Sequence, residues 1–248
     1  MASVKEHQTY WEQAKEAGFD LSWLNQIKEN VVDEGVGEIS ENLTGRVSGS
    51  ISRPGVAKFG AYPFRTKKEV WGYNLRKLYE EFVSRQWSSA TDIPWDTLQE
   101  LPDDVEAAEC QLATFFAQVE FVAADVPGRF IATMSPDYQE VRMALLGQVM
   151  DESRHLDVFR KRALANGGGL MRMIDSVSDV VGGGTDNARE YTELSTRLHI
   201  VGEGNVLTLF RLGELMAYND AEKTIYRRCA QDEARHVAIG VLLSLIHI

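Results

Sequence analysis

Two short strings hold most of the chemistry this chain can do. Residues 151–155 read DESRH and residues 232–236 read DEARH, 81 positions apart in a chain of 248 residues with five histidines. In a helix, positions i and i+3 share a face. Glu152 and His155 then point the same way, and so do Glu233 and His236. Each pair offers one carboxylate oxygen and one imidazole nitrogen to the same metal ion. A single Glu-x-x-His arises often by chance on a solvated helix face. Two of them, with matching Asp and Arg neighbours, point to one site built from both.

A two-metal site in a helical bundle takes one more carboxylate from each remaining helix. Glu120, in ATFFAQVEFVAADV, is the only acid between residues 112 and 124. A carboxylate in so apolar a stretch is costly to bury without a partner. Glu106 and Glu109 are rivals, and register decides against them. With a turn centred near residue 135, Glu120 lies 15 residues before it, Glu152 17 after and Glu109 26 before. A mismatch of nine residues is about 13 Å along an antiparallel pair. On the third helix the candidate is Glu203, in LHIVGEGNVLTLF. It lies 16 residues before a turn near 219, with Glu233 14 after. Glu193 and Glu214 lie 10 and 11 residues from it. Gly202 and Gly204 flank Glu203, and each costs roughly 0.5–1 kcal/mol in a helix relative to Ala. Two explanations stand side by side: a locally widened, π-type turn that lets Glu203 shift, or close packing of a neighbouring helix.

The expected site is therefore Glu120, Glu152, His155, Glu203, Glu233 and His236. Four carboxylates and two imidazoles suit iron or manganese better than zinc. Four negative charges against two divalent ions leave the cluster neutral. We expect two iron ions, with a manganese–iron pair as the variant. Asp151 and Asp232 are expected to accept the second N–H of the opposite motif's histidine. Arg154 and Arg235 either balance that charge or form surface salt bridges.

The elements that must position these residues are helices. Four long stretches of helical periodicity cover roughly 104–133, 137–166, 186–218 and 220–242. SPD at 135–137 and YND at 218–220 close two hairpins. GGGLMRMIDSVSDVVGGG, residues 167–184, reads as one long crossover with room for a short helix. Two hairpins joined this way make a ferritin-like four-helix bundle, so the fold class is all-α. Ahead of it, residues 1–103 read as an N-terminal helical extension with loops: helix-like patches within 1–43, a Gly/Ser/Pro-rich loop over 44–64, one helix over 66–86, then a turn-rich connector. The bundle spans 104–242. The last residues, LSLIHI at 243–248, match one reading frame of a transposon-end sequencing adapter and are set apart as a foreign tail; a plain apolar helix end is the alternative.

The net charge of −11 disfavours nucleic acid and anionic membranes as partners. No stretch approaches the roughly 20 apolar residues of a membrane span. MASVKEHQTYWEQ lacks the apolar core of a signal peptide, and Cys110 and Cys229 form no metal-like pair, so a cytoplasmic chain is expected.

In the order Glu, Glu-x-x-His, Glu, Glu-x-x-His, residues 104–242 resemble the ferritin-like di-iron carboxylate superfamily. The D-E-x-R-H form is similar to bacterial multicomponent monooxygenase hydroxylases and acyl-carrier-protein desaturases. The resemblance implies that the six ligands hold two irons, and that the reduced pair activates O2 toward a C–H bond, a double bond or an amine. Ribonucleotide reductase small subunits place a radical tyrosine four residues after the first motif's histidine; here it is Phe159. Arylamine oxygenases have a histidine four before the last motif's Glu; here it is Cys229. Hydroxylases and desaturases often carry Thr three or four after the third-helix Glu; here stand Val206 and Leu207, with Thr208 next. His199, one turn before Glu203, is either an added polar group at the site or an ordinary hydrogen-bonded core histidine.

The function expected is that of an O2-activating di-iron oxidoreductase, monooxygenase or desaturase-like, acting on a small organic or acyl substrate. An electron-donor protein and a homo-oligomer go with it. Phe116, Phe121, Phe159 and Leu207 are candidates to line a substrate pocket, or ordinary core. A ferroxidase or oxidant-scavenging iron protein, and a reductase-like radical protein, are the alternatives.

Overall fold

The computed structural model describes residues 54–55, 62–72, 74–173 and 187–245. The helix-like patches of 1–43, most of the 44–64 loop, the inner part of the crossover and residues 246–248, with His247, lie outside them. Two short helices come first, α1 (Lys67–Val70) and α2 (Leu75–Ser84). The first long helix, α3, runs Asp103–Ile131, and α4 runs Gln139–Ala165. The third long stretch is composite: α5 (Tyr191–Ser195), a π-helical segment (Thr196–Gly202) and α6 (Glu203–Met216). The last helix, α7, runs Asp220–Ser244. No strand forms among the described residues. A bridge pairs Phe64 with Met134 at the α3–α4 turn.

Local sequence accounts for the helix starts. Pro102 precedes α3, and Asp103, Asp104 and Glu106 fill its first turn, where acids meet the positive end of the helix dipole. Asn219 caps α7 by accepting the Glu222 backbone N–H at 2.9 Å. After α4, Gly167 and Gly169 adopt φ of 82° and 92°, the left-handed conformation that ends helices and that glycine adopts at no steric cost. Met171 N–H then donates to Thr114 Oγ1 at 2.9 Å, so the crossover starts along α3.

The single helix expected over 66–86 is two helices. Trp71 is extended (ψ 141°) and Asn74 left-handed (φ 59°). The break lets the chain at Gly72 meet the α7 backbone, where a Cβ would lie 3.3 Å from Leu242 and Leu243. Leu243, within the segment set apart as a tail, is itself buried there.

α3 packs on α4, α6 on α7, and α2 lies across α4 and α7. The apolar core is two clusters. One gathers Leu75, Phe82, Tyr138, Leu145, Leu194 and Ile239; the other gathers Trp87, Phe116, Phe159, Phe210, Ile225 and Cys229. A layer of buried charge lies between them.

Candidate metal centre

Glu120 stands on α3, Glu152 and His155 on α4, Glu203 at the start of α6, and Glu233 and His236 on α7. All six are at most 2% exposed. Ligand atoms of Glu120, Glu152, His155 and Glu233 lie within 4.8 Å of one another, and so do those of Glu152, Glu203, Glu233 and His236. Two adjacent four-residue nests thus share Glu152 and Glu233. The register argument places Glu120 and Glu203 at the centre. The rivals are employed elsewhere: Glu106 pairs with Arg162, Glu193 with Arg197 and Glu214 with Arg227, and Glu109 lines a cavity.

Both histidines turn Nδ1 inward. His155 Nδ1 lies 3.2 Å from Glu152, 3.2 Å from Glu233 and 3.7 Å from Glu120. His236 Nδ1 lies 2.9 Å from Glu152 and 3.1 Å from Glu233. The outer nitrogens face across the bundle. His155 Nε2 is hydrogen-bonded to Asp232 at 3.2 Å, whereas His236 Nε2 lies 3.5 Å from Asp151 without a hydrogen bond. Arg154 and Arg235 are buried, not on the surface. Each contacts both aspartates, Arg154 with Asp232 at 3.1 Å and Arg235 with Asp151 at 2.7 Å. The two Asp and two Arg form a closed, neutral ring beneath the histidines.

Crowding of buried charge shifts the titration of every group in the cluster. Burial pushes the Glu120 and Glu203 carboxyls well above the usual range, and the charges of Glu152 and Glu233 add to it. Glu152 and Glu233 are held below that range, because both histidines outweigh the effect of burial. His155 is raised well above an ordinary imidazole against the effect of burial by Cys229, Asp232 and Glu120; His236 is raised likewise by Glu152 and Glu233. With neutral imidazoles, the four carboxylates when ionised carry four negative charges and need four positive charges beside them. Two divalent cations carry the same charge. Both Glu120 oxygens, Glu152 Oε2, Glu233 Oε1 and His155 Nδ1 are buried with no hydrogen-bond partner. Buried polar atoms are seldom left so, and oxygen-rich donors with imidazole fit iron or manganese.

Several participants have no sequence signal at ligand spacing. Trp87 donates its indole N–H to Asp232 at 2.7 Å and stacks on His155, with ring centroids 6.4 Å apart. Phe82 stacks on His236 at 5.9 Å. Arg154 lies over Trp87 and Arg235 over Phe82, and Gln86 donates to Asp151 at 3.4 Å. The stretch at and just beyond α2 is thus a cover for the ring. Gln148 could have been found: it sits one turn before Glu152, on the same face. It donates to Glu203 at 3.0 Å and accepts from His199. His199, buried, has its pKa pushed down to about 3 by burial and by the neighbouring His236 charge, so it is a neutral hydrogen-bonded group.

The glycines beside Glu203 find part of their reason. The π-helical segment ends at Gly202, directly before Glu203. A Cβ on Gly204 would meet nothing within 4 Å, and one on Gly202 only Arg197 O at 3.4 Å and Leu198, so neither makes room for another helix. A cavity of about 220 Å³ lies between α3 and α6, lined by Glu109, Leu112, Phe116, Leu209, Leu212 and Tyr226, among others. Of the four pocket candidates only Phe116 faces it; Phe121 is 59% exposed, Phe159 packs behind Phe116, and Leu207 packs against the core.

No protein-family model matches the chain, and no curated protein matches it. Solved structures do. A glycine-to-phenylalanine mutant of an R2-like ligand-binding oxidase with an anaerobically reconstituted Mn/Fe cofactor is 19% identical, with TM-score 0.57, covering 70% of this chain and 74% of that one. An R2-like ligand-binding oxidase with an aerobically reconstituted Mn/Fe cofactor is 18% identical, with TM-score 0.55, covering 71% and 70%. The chain shares their ferritin-like helical fold.

Proposed function

We propose that this chain is an O2-activating dimetal oxidoreductase, monooxygenase or desaturase-like, acting on an organic substrate. The observation supporting this most directly is the set of four buried carboxylates and two imidazoles gathered into two adjacent groups, with unpartnered atoms on Glu120, Glu152, Glu233 and His155. Glu120, Glu152, His155 and Glu233 would hold one ion, and Glu152, Glu203, Glu233 and His236 the other. When bound, such a redox-active pair supplies electrons and Lewis acidity for the reduction of O2. The Mn/Fe cofactors of the structural neighbours put manganese beside iron as the ion to test.

The chain's own residues do the rest. Asp232 holds the Nε2 proton of His155, and Asp151 faces His236 Nε2 at 3.5 Å, so each Nδ1 faces inward. Phe82 and Trp87 shut water out from the ring side. Phe116 and Phe210, 4.9 Å apart, separate the cavity from His155, which Phe210 meets edge-on. That cavity is apolar but for Glu109, Tyr218 and Tyr226 and suits part of a small organic or acyl group. Inserting one oxygen atom into a substrate and reducing the other to water takes two electrons and two protons from outside, so an electron-donor protein belongs to the reading.

The test is anaerobic loading with Fe(II), alone and with Mn(II), followed by O2, with metal analysis and Mössbauer or optical spectra. Two ions per chain are expected, and fewer on Glu120→Ala or Glu203→Ala. A chain that binds no such pair overturns the reading. Loaded protein that oxidises its iron but converts nothing in a product screen with reductant would move it to the ferroxidase class.

A further inference from the structure

The two halves of the centre repeat the same Asp, Glu, Arg and His but differ one turn before the Glu. Four residues before Glu152 stands Gln148; four before Glu233 stands Cys229. Both are fully buried. Gln148 Nε2 donates to Glu203 Oε1 at 3.0 Å and to Glu152 Oε1 at 3.4 Å. Its Oε1 lies 2.9 Å from His199 Nε2, and His199 Nδ1 lies 2.8 Å from Ser195 Oγ. Elimination settles the roles. Glu152, held as a carboxylate, only accepts, so the amide NH2 faces it and Glu203 together. The amide oxygen then accepts from His199 Nε2–H, leaving Nδ1 to accept from the Ser195 hydroxyl. A directed chain of neutral groups, Ser195 to His199 to Gln148, ends on Glu203. Nothing equivalent reaches Glu120, whose two oxygens have no hydrogen-bond partner. The Cys229 thiol, pushed up to about 12 by burial, is at most a weak donor.

We infer that the Ser195–His199–Gln148 chain is a positioning relay that fixes Glu203 and makes the two metal positions unequal. The relay occupies one Glu203 oxygen and leaves the other for an ion, whereas Glu120 keeps both oxygens free and must be ordered by the ion itself. Preorganised donors bind more tightly than donors that binding must order, so the Glu203 position fills first. The π-helical segment belongs to the device. It presents His199 inward at the point where α7 offers Gly240, at which a Cβ would come within 2.8 Å of His199 Cβ. The inference rests on the dimetal reading.

The test is a Mn(II) titration of the full chain under argon, following free Mn(II) by electron paramagnetic resonance, with thermal melts of each apo variant. Wild-type protein is expected to take up two ions in two resolved steps. Gln148→Leu should weaken the first step by about 10–100-fold, the usual cost of losing an outer hydrogen-bond partner, and leave the second. Ser195→Ala touches no ligand and should weaken the same step by a smaller factor. A role of Gln148 in packing alone would leave Ser195→Ala like wild type. If Gln148→Leu does not fold, Ser195→Ala and His199→Gln decide. Wild type taking up no ion overturns the dimetal reading itself. Wild type taking up two ions with equal affinity, or variants that weaken both steps alike or neither, overturns the relay alone.

Discussion

Asp151 and Asp232 stand where the two halves of the centre exchange partners. Each faces the other half's histidine and both arginines, so each does two jobs: it orients an imidazole and neutralises a buried guanidinium. Replacing Asp232 with Asn keeps the shape but removes the charge. Metal affinity should fall about 10–100-fold, measured by competition with a chelator, and Asp151→Asn should act on the other histidine with similar size. An unchanged affinity in both would show that the ring serves folding only. Trp87→Phe removes one hydrogen bond to Asp232 and should cost about 1 kcal/mol of stability in denaturant titration. These roles follow from the pentapeptide, since Asp and Arg recur in both copies. Trp87 and Gln86 do not follow from it, because their contacts depend on how a preceding helix crosses the bundle.

Between residues and fold, two elements invite a direct contrast. Gly240 is pressed against the π-helical segment, with His199 Cβ and Ile200 Cδ1 each 2.8 Å from a would-be Cβ, whereas Gly204 faces open space. Gly240→Ala should destabilise by about 1–3 kcal/mol through overpacking, and Gly204→Ala should stabilise by about 0.5–1 kcal/mol. Chemical denaturation of both decides. The same sign for both would mean that the π-helical segment relaxes freely. At the far end of the bundle Arg162 on α4 ties Glu106 on α3 to Glu222 on α7, with contacts of 2.7 and 2.6 Å. Arg162→Ala strands those acids and should cost about 3–5 kcal/mol, with the metal count unchanged. Glu106 is held below the usual carboxylate range because, against burial, Arg162 and Asn166 bond to it. Its contribution is present above the unfolded carboxylate pKa and fades as pH falls through the lowered folded value.

For the molecule as a whole, metal and fold are linked. The raised carboxyls of Glu120 and Glu203 and the raised imidazoles of His155 and His236 bind protons in competition with divalent ions. Apparent metal affinity should therefore rise with pH, and loading should release protons. Saturation at about 100 times Kd should add roughly 2.7 kcal/mol of stability, seen as a higher Tm that chelator reverses. A Tm indifferent to Fe(II) and Mn(II) would remove the link. No helix among the described residues is long and apolar enough to cross a membrane.

Much of this was legible in one dimension, for identifiable reasons. Helical period and i, i+3 spacing are local, so the four helical stretches and both Glu-x-x-His pairs could be read directly. Register along an antiparallel pair is arithmetic, and it picked Glu120 over Glu109 and Glu203 over Glu214. Asp and Arg in duplicate implied crossed partners. The break after Val70, the cover formed by Phe82 and Trp87, and the chain from Ser195 to Glu203 could not be read in the same way. Each depends on which surfaces meet across 51 to 171 residues of chain, and a residue's type does not encode its distant neighbour. By itself the sequence determined which residues are available to a metal pair. Tertiary packing alone decided that the pair's two halves are supported differently, because only in the folded bundle does Gln148 reach Glu203 while no hydrogen bond reaches Glu120.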